Sequence, residues 1–317
     1  MYFLLYAHNQ VVKGKEKSAI YDLQNSAIIY IPNVIVNIIE EMRTKTIIAI
    51  KKQHTPDAPE IIDKYIAFFL QKKLGFYTEE PFRFPKLDTN FYYPGIIQNA
   101  IVESNLKTFD LKKVLENLDS LGCRFLEIRL DIDTAFAFSE LKHILNSTLD
   151  SIFISIDLLI KYNNLFNDEI VKDLQKSYSK IGKIIVYEAQ EDKEVSNTLL
   201  FSKLSFHELE LSHSQTSKYI VNIPFFCESL NFNTNYNKKI AITYNGKIKN
   251  ILKDEHDYGN INKNNLITVC NSIKFQKWWH ISPDKIEELK GNPLRHALFN
   301  PFPLKELTPN LYQIIII

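Results

Sequence analysis

Short runs of branched and aromatic residues, separated by polar turn residues, occupy the first part of the chain. Such residues favour extended backbone, so each run predicts a β-strand. The predicted strands cover residues 2–6, 18–23 and 27–31. Turns are predicted between them at 13–15 and at 24–25, where glycine, lysine and asparagine interrupt the apolar pattern.

A helical periodicity follows the third predicted strand. Asn33 is predicted to cap a helix over 34–42, because apolar residues then recur on one face. A second short helix is predicted to start at 44–46 and to run through Lys51.

A third amphipathic helix is predicted from Pro59, which suits a first helical turn, until Gly75. Its apolar stripe consists of Ile61, Ile62, Tyr65, Ile66, Phe69 and Leu70. Three strands followed by three helices predict a first domain over residues 1–80.

The middle of the chain shows strand-like and helix-like segments in alternation. The predicted strands cover 100–104, 125–130, 152–156 and 183–188. The predicted helices cover 111–121, 136–145 and 168–180. Such alternation predicts βαβ units around a parallel sheet, with too few units for a complete eight-unit barrel. We therefore expect residues 95–218 to form an incomplete βα barrel or an open parallel sheet.

The composition changes again from residue 219, which predicts a third domain over 219–317. Asn245-Gly246 lies between two strand-like runs and is a strong hairpin signal. Helices are predicted over 266–279 and 284–290, and the final residues predict either a strand or an apolar tail. The pattern as a whole places the chain in the α/β class.

The charge balance of the chain is close to neutral. It has 38 basic and 37 acidic residues among 317, a formal net charge of +1. No overall field attracts nucleic acid or an anionic membrane surface, so neither partner is expected. No run reaches the roughly 18 to 20 apolar residues that a membrane-spanning helix needs. Three scattered cysteines argue against a disulfide framework and predict a cytoplasmic protein.

Few residues indicate nucleotide-binding or metal-binding chemistry. The eight glycines are too far apart for a dinucleotide-binding or phosphate-binding loop. Cys123, Cys227 and Cys270 are predicted to be buried core thiols, as free cysteines commonly are. His207 and His213 are six positions apart (213 − 207), a poor helical spacing for joint metal ligation.

Asp131 and Asp133 are the carboxylates best placed for acid–base chemistry. They follow a predicted parallel strand, at the edge where α/β sheets place active sites. No nucleophile or metal motif accompanies them, so they are interpreted as loop residues. The prediction is therefore no catalytic residue and no metal site.

Short motifs along the chain together resemble one known family. In the first half they are 12–14 (VKG), 18–24 (SAIYDLQ), 30–33 (YIPN), 121–123 (LGC) and 126–129 (LEIR). In the last third they are 228–230 (ESL), 233–234 (NT), Asn237, 239–240 (KI), 246–250 (GKIKN), 258–261 (YGNI), Trp279 and 285–287 (KIE). With these motifs the chain resembles the SPASM-domain peptide maturases of grasp-with-spasm systems over nearly its whole length.

The resemblance implies a partner role in peptide maturation. Proteins of that family are encoded beside an ATP-grasp peptide ligase and a ribosomally made precursor peptide, and both are the implied partners. The family is similar to radical-SAM enzymes that keep a C-terminal SPASM module without the N-terminal cluster motif. Its first domain is similar to winged-helix elements that hold a leader peptide as an added strand. The residues implied to form that peptide groove are Ala27, Ile28, Ile29, Tyr30, Ile31, Tyr65 and Phe69.

The chain departs from the family at the cysteines of the SPASM module. The positions that correspond to those cysteines are occupied by Ile251, Leu289, Asn292, Leu298 and Pro301. Because an iron–sulfur cluster needs about four closely spaced thiolates, no cofactor is predicted. A 4Fe-4S cluster is expected only if the family pattern holds despite the missing cysteines.

Three functional hypotheses follow. The first is an accessory maturation protein that binds the precursor peptide and assists its crosslinking by the ATP-grasp ligase, without catalysis of its own. The second is an iron–sulfur, SPASM or radical-SAM-type peptide-modifying enzyme. The third is a decayed, inactive copy of the family, or a coding sequence that is altered near its end.

Overall fold

The computed structural model describes residues 1–55, 57–132, 135–164, 166–209 and 218–316, with side chains except at 135–137 and 218. Its strands are β1 (Tyr2–Leu5), β2 (Asn9–Val12), β3 (Ser18–Asp22), β4 (Ala27–Ile31), β5 (Gly75–Thr78), β6 (Asn99–Ser104), β7 (Phe125–Leu130), β8 (Ser155–Lys161), β9 (Ile181–Tyr187), β10 (Lys193–Ser196), β11 (Leu199–Phe201), β12 (Lys218–Tyr219), β13 (Lys239–Ile242), β14 (Ile248–Lys249), β15 (Leu298–Phe299), β16 (Leu304–Thr308) and β17 (Leu311–Ile314). Its α-helices are α1 (Val34–Glu41), α2 (Ile47–His54), α3 (Glu60–Gln71), α4 (Leu111–Ser120), α5 (Ala135–Ser147), α6 (Asp168–Ser177), α7 (Ile223–Asn231), α8 (Leu266–Cys270) and α9 (Ile273–Gln276).

The N-terminal sheet has three antiparallel strands in the order β2-β3-β4. Two of the three predicted strands belong to it. The predicted strand at 2–6 is present as β1, but it pairs with β5 in a separate two-stranded sheet. The sheet is completed instead by β2, which the sequence pattern missed because it is short and begins with two amides.

Helices α1, α2 and α3 cover one face of this sheet and share a buried core with it. Thr46 caps α2, as the predicted start at 44–46 implies, by accepting a hydrogen bond from the Ala49 N–H. Asn33 occupies the predicted N-cap position of α1, but its side chain makes no capping hydrogen bond. Its side-chain oxygen accepts from the Ser18 hydroxyl at 2.6 Å, and its amide donates to the Gly14 carbonyl at 3.2 Å.

A mixed sheet of eight strands dominates the middle of the molecule, in the order β10-β11-β9-β8-β7-β6-β13-β14. The strands from β11 to β13 are parallel, and the edge strands β10 and β14 are antiparallel. The molecule is therefore of the α/β class, with a large and mostly parallel sheet. Side chains from α4, α5 and α6 pack on one face of it in the main core.

One predicted strand of this sheet lies in the wrong place. Residues 152–156 were expected to be extended, but β8 begins only at Ser155 and continues to Lys161. Ile152 and Ile154 are 47% and 57% exposed and lie in the segment that leads into β8, outside the sheet. The strand itself alternates buried and half-buried residues, with polar Asp157 on its open face.

The C-terminal part is irregular. The predicted hairpin is formed by β13 and β14, with Gly246 at a φ of +79° in the turn. The long helix predicted over 266–279 is wrong, because Ser272 caps a separate helix α9 by accepting from the Phe275 N–H. The predicted helix at 284–290 is reduced to a 3₁₀ turn at Pro283–Lys285. The chain closes in an antiparallel hairpin of β16 and β17.

The N-terminal sheet also packs against the C-terminal part of the chain. Val12, Ala19 and Tyr21 share a buried core with Phe226 and Ala297. The Tyr21 hydroxyl donates to the Pro293 carbonyl at 2.8 Å, which fixes the two regions against each other. The sheet of β2, β3 and β4 thus lies between its own helices and the C-terminal region. Along the parts of the chain that the structure describes, no helix combines the length and apolar character needed to cross a bilayer.

Candidate functional site

Strand β4 contains five of the seven residues implied to form a peptide groove, and it lies at an edge of its sheet. Residues 27–31 pair with β3 in continuous register, from Asp22 opposite Ala27 to Ser18 opposite Ile31. Among the described residues no other backbone hydrogen bond reaches the strand. Its outer edge therefore offers N–H and C=O groups of the kind that an added strand pairs with.

The inner face of β4 meets the helical core of the N-terminal unit. Ile31 is 3% exposed and belongs to that core, and Ile29 and Tyr65 are partly buried against it. Phe69 is fully buried and stacks on Phe3, with ring centroids 5.9 Å apart. Ile29 and Tyr65 thus lie at the edge of the core, whereas Phe69 lies inside it. A peptide contact at these residues stays a prediction.

The outer face of β4 borders a pocket of about 480 Å³. Ile28 and Tyr30 form one wall, and residues 219–222 with Leu294 form the other. Tyr30 is 46% exposed, and the Lys17 ammonium lies 3.6 Å from the centre of its ring. The pocket therefore has apolar and aromatic walls, and a cation contacts the aromatic residue.

The far wall of this pocket was not predicted from the sequence. It includes Asn222, which caps α7 by accepting from the Phe225 N–H at 2.9 Å, with Pro224 in the first turn. Asparagine followed closely by proline is a helix-start signal, so the helix itself was detectable. Its position beside β4 was not, because only tertiary packing brings residue 222 next to residue 28.

A charged cluster lies on the face of the large sheet opposite its helices. Arg129 is 7% exposed, and its Nε donates to Glu127 at 2.6 Å. Its Nη1 lies 3.6 Å from the Glu103 carboxylate, and its guanidinium lies 4.3 Å from the centre of the Phe206 ring. The arginine is held between two carboxylates and against an aromatic ring, which fixes the position of its charge in the middle of this face.

Asp131, one of the two carboxylates considered for acid–base chemistry, lies at the carboxyl end of β7. Asp131 is half-exposed, and its carboxylate lies 3.7 Å from the Lys161 ammonium. The phenols of Tyr187 and Tyr244 lie close to each other and to Asp131. Burial raises the pKa of both phenols, that of Tyr244 to about 12. Neither phenol is therefore suited to proton transfer near neutral pH.

The cysteines and histidines of the described residues form no metal site. Cys123, Cys227 and Cys270 are all free and buried, and burial raises the pKa of Cys123 and of Cys270 to about 12. Thiolates are the reactive and metal-binding form of cysteine, so these thiols are held in the inert form. Within the described ranges, no three or more His, Cys, Asp or Glu residues gather as ligands. Asp133 and His213 lie outside the described residues.

The five residues that the sequence resemblance aligns with cysteines differ in burial and in surroundings. Leu289 is 4% exposed in the main core, and Ile251 and Leu298 pack against that core. Asn292 and Pro301 are half-buried. Ile251 and Pro301 also line a cleft against the large sheet. Ile251, Leu289 and Leu298 thus contribute to apolar packing.

Comparisons with known proteins give little further guidance. No protein-family model matches the chain, and no curated protein matches it. Among solved structures, the chain is similar to the crystal structure of Streptococcus suis SuiB bound to S-adenosylmethionine, at 10% identity and a TM-score of 0.32, over 93% of this chain and 94% of that chain. The crystal structure of Streptococcus suis SuiB is similar at 9% identity and a TM-score of 0.27, with the same coverage. Similarity this low supports no conclusion about function.

Proposed function

We propose that this chain is a maturation accessory protein that binds a ribosomally made precursor peptide at β4 and assists its crosslinking by a partner ATP-grasp ligase. The observation that supports the proposal is the unpaired edge of Ala27–Ile31, bordered by apolar side chains on both faces. A peptide that adds to this edge gains main-chain hydrogen bonds from the strand. Backbone pairing supplies affinity, and side pockets supply sequence preference.

The two faces of β4 would read alternate residues of such a peptide. In an extended strand successive side chains point to opposite faces. One set of peptide side chains packs against Ile29 and Tyr65, and the other set enters the pocket beside Ile28 and Tyr30. The expected ligand therefore carries branched or aromatic residues at every second position.

Lys17 adds a charge preference to this site. Its ammonium lies over the ring of Tyr30, a residue that lines the pocket. A carboxylate in the peptide, next to a residue that fills the pocket, is therefore favoured over a basic residue.

The finer parts of the proposal rest on the sequence resemblance. It supplies the ATP-grasp ligase as partner, the winged-helix-like character of residues 1–80, the radical-SAM-like character of 95–218 and the SPASM-like character of 219–317. The described cysteines are buried and protonated, which disfavours their binding an iron–sulfur cluster. Their state is consistent with a role in peptide binding.

Peptide binding at β4 is tested with overlapping synthetic peptides that span the precursor encoded beside the gene. Fluorescence anisotropy measures affinity, and hydrogen exchange reports which amides become protected. We expect a peptide from the leader segment to bind and to protect residues 27–31. Methylation of alternate backbone nitrogens in that peptide should abolish binding in one register and spare it in the other, because only alternate amides face the strand.

A matched pair of variants localises the effect. Tyr30→Ala removes a wall of the pocket and should weaken binding by about fivefold or more, whereas Tyr77→Ala removes a comparably exposed tyrosine from β5 and should leave it unchanged. The proposal fails if no segment of the precursor binds at high micromolar concentration. It also fails if protection appears away from β4.

A further inference from the structure

A second cleft lies against the open face of the large sheet and shares no lining residue with the pocket beside β4. Its volume is about 460 Å³, which is within the range of small-molecule sites. The amino-terminal halves of β6, β7, β8 and β13 form most of its floor, and residues 250–253, Phe299 and Pro301 border it from the C-terminal part of the chain. The other half of this sheet face is covered by Phe206 and Leu209.

The floor of the cleft contains a shift in strand register between β8 and β9. The shift follows Ile156, and Asp157 is level with Lys183, which leaves Gly182 as an extra residue on β9. An extra residue of this kind changes the aim of the side chains beside it. A Cβ added at Gly182 would lie 2.9 Å from the Asp157 Oδ1 and closer still to the Ser155 Oγ. The glycine therefore leaves room for these two polar side chains at the floor.

Asp157 is a half-buried carboxylate that no cation pairs with. It lines the cleft, and its Oδ1 accepts a hydrogen bond from the Ser155 hydroxyl at 3.3 Å. Lys183 is level with it on β9, yet among the described residues no cation lies within ion-pair distance of it. Glu127 is level with it on β7, and like charges side by side on neighbouring strands repel. Glu127 is paired with Arg129, so Asp157 is the carboxylate that lacks a counter-charge.

The cations that line the cleft do not neutralise Asp157. Arg129 is already paired with two other carboxylates. Lys239 lies on β13, three strands or roughly 14 Å from β8, and has Glu228 as its own electrostatic partner. Lys253 belongs to the C-terminal wall of the cleft and, within the described part of the chain, forms no ion pair with Asp157.

Phe125 supplies an aromatic ring close to this carboxylate. It lines the cleft, is 38% exposed and is level with Ser155 on the neighbouring strand. Asp157 is two positions further along β8 than Ser155, so it shares the same face of the sheet. The Cα atoms of Phe125 and Asp157 are therefore roughly 8 Å apart, given the spacing of the strands and the rise along them.

We propose that this cleft binds a primary amine that carries an aromatic group. The ammonium pairs with Asp157, and the ring packs against Phe125. Hydrogen bonds between an ammonium and a carboxylate are among the stronger ones in proteins, and aromatic pairs add specific packing. A free arylalkylamine and the N-terminus of a peptide that begins with phenylalanine both have this chemistry. The site does not depend on peptide binding at β4.

Titration calorimetry of the full chain with 2-phenylethylamine and with phenylalanyl-alanine amide tests the proposal and distinguishes the two sources of the amine. Two control ligands separate its parts, since 2-phenylethanol lacks the charge and ethylamine lacks the ring. We expect at least one of the aromatic amines to bind. Each control ligand should bind about tenfold or more weakly.

Variants assign the charge preference to one carboxylate. Asp157→Asn should weaken binding of the amine by about tenfold or more and leave binding of 2-phenylethanol unchanged. Gly182→Ala should also weaken amine binding, because the new Cβ displaces the Asp157 side chain. Lys183→Gln should strengthen amine binding by about twofold, because it removes the cation level with Asp157. Asp150→Asn removes an exposed carboxylate outside the cleft and is the matched control, with no expected effect.

Three results would overturn the proposal. They are equal affinity for the amine and the alcohol, unchanged amine binding in Asp157→Asn, and no heat of binding at millimolar concentration. Circular dichroism establishes that each protein is folded before its binding is compared. Because leader binding is measured separately by protection of residues 27–31, failure here leaves the proposal for β4 intact.

Discussion

His296 is a buried imidazole whose surroundings oppose its charge. It is 3% exposed, its Nδ1 lies 3.2 Å from the Ser229 hydroxyl, and burial, together with Arg295, lowers its pKa to about 4. Asp284 is 3.7 Å from Nε2 and only partly offsets this. The ring therefore stays neutral in the folded protein at pH values where it is charged in the unfolded chain.

We expect His296 to make stability depend on pH. A depressed folded-state pKa means that stabilisation is complete above the unfolded value of 6.5 and is lost as the pH falls towards about 4. Between about pH 7 and pH 4.5, the free energy of unfolding should fall by roughly 2 to 3 kcal/mol more in the native protein than in His296→Gln. Urea unfolding at the two pH values measures this difference. An identical fall in both proteins would contradict it.

Arg129 gives a second prediction for a single residue. Its removal leaves Glu103 and Glu127 facing each other without the cation, so Arg129→Leu should lower the free energy of unfolding by about 3 kcal/mol or more. Arg83→Leu is the control, because Arg83 pairs with Glu80 on the surface and should change stability by less than about 1 kcal/mol. Chemical denaturation compares the two, and equal effects would contradict the role given to burial.

Among the turns, the one between β13 and β14 depends on the lack of a side chain. Gly246 has a φ of +79°, and an added Cβ would lie 3.0 Å from the Asn260 side-chain oxygen. Gly246→Ala should therefore lower the free energy of unfolding by about 1 to 2 kcal/mol. Gly291→Ala is the matched control, since Gly291 lacks a positive φ and its added Cβ would meet only the Lys15 side chain. Thermal unfolding of both variants checks the prediction, which fails if Gly291→Ala costs as much.

The elements most faithfully predicted from the sequence are those whose local pattern and tertiary role agree. β7 was predicted with the bounds that the structure shows, because its apolar residues alternate with charged ones as in a strand with one buried face. The helix over 266–279 failed, because Ser272 ends its periodicity by capping α9. The predicted position of β8 was too early in the chain, because Ile152 and Ile154 are apolar but exposed. The residue type alone does not reveal whether a side chain is buried.

The sequence predicted only one side of the candidate peptide site. Residues 27–31 were identified as a strand, and their edge position followed from the resemblance. The opposite wall of the pocket, at 219–222, arises from packing between distant segments of the chain. No local pattern contains that information.

For the whole molecule, we predict that anaerobic reconstitution with iron and sulfide yields no stoichiometric cluster. Cys123 and Cys270 have pKa values raised to about 12 by burial, and Cys227 is also buried, so thiolates are scarce unless the core opens. Iron and sulfide analysis with a visible spectrum is the measurement. A brown protein with matched iron and sulfide would favour the iron–sulfur enzyme hypothesis instead.

The contact between the N-terminal sheet and residue 293 has a consequence for biosynthesis. Tyr21 is bonded to the Pro293 carbonyl, and Leu294 closes the pocket beside β4. A ribosome that has released only the first 200 residues has produced the strand but not the far wall of its pocket. On the proposed function, a partly translated polypeptide engages its peptide poorly until Leu294 has been synthesised and has packed beside β4.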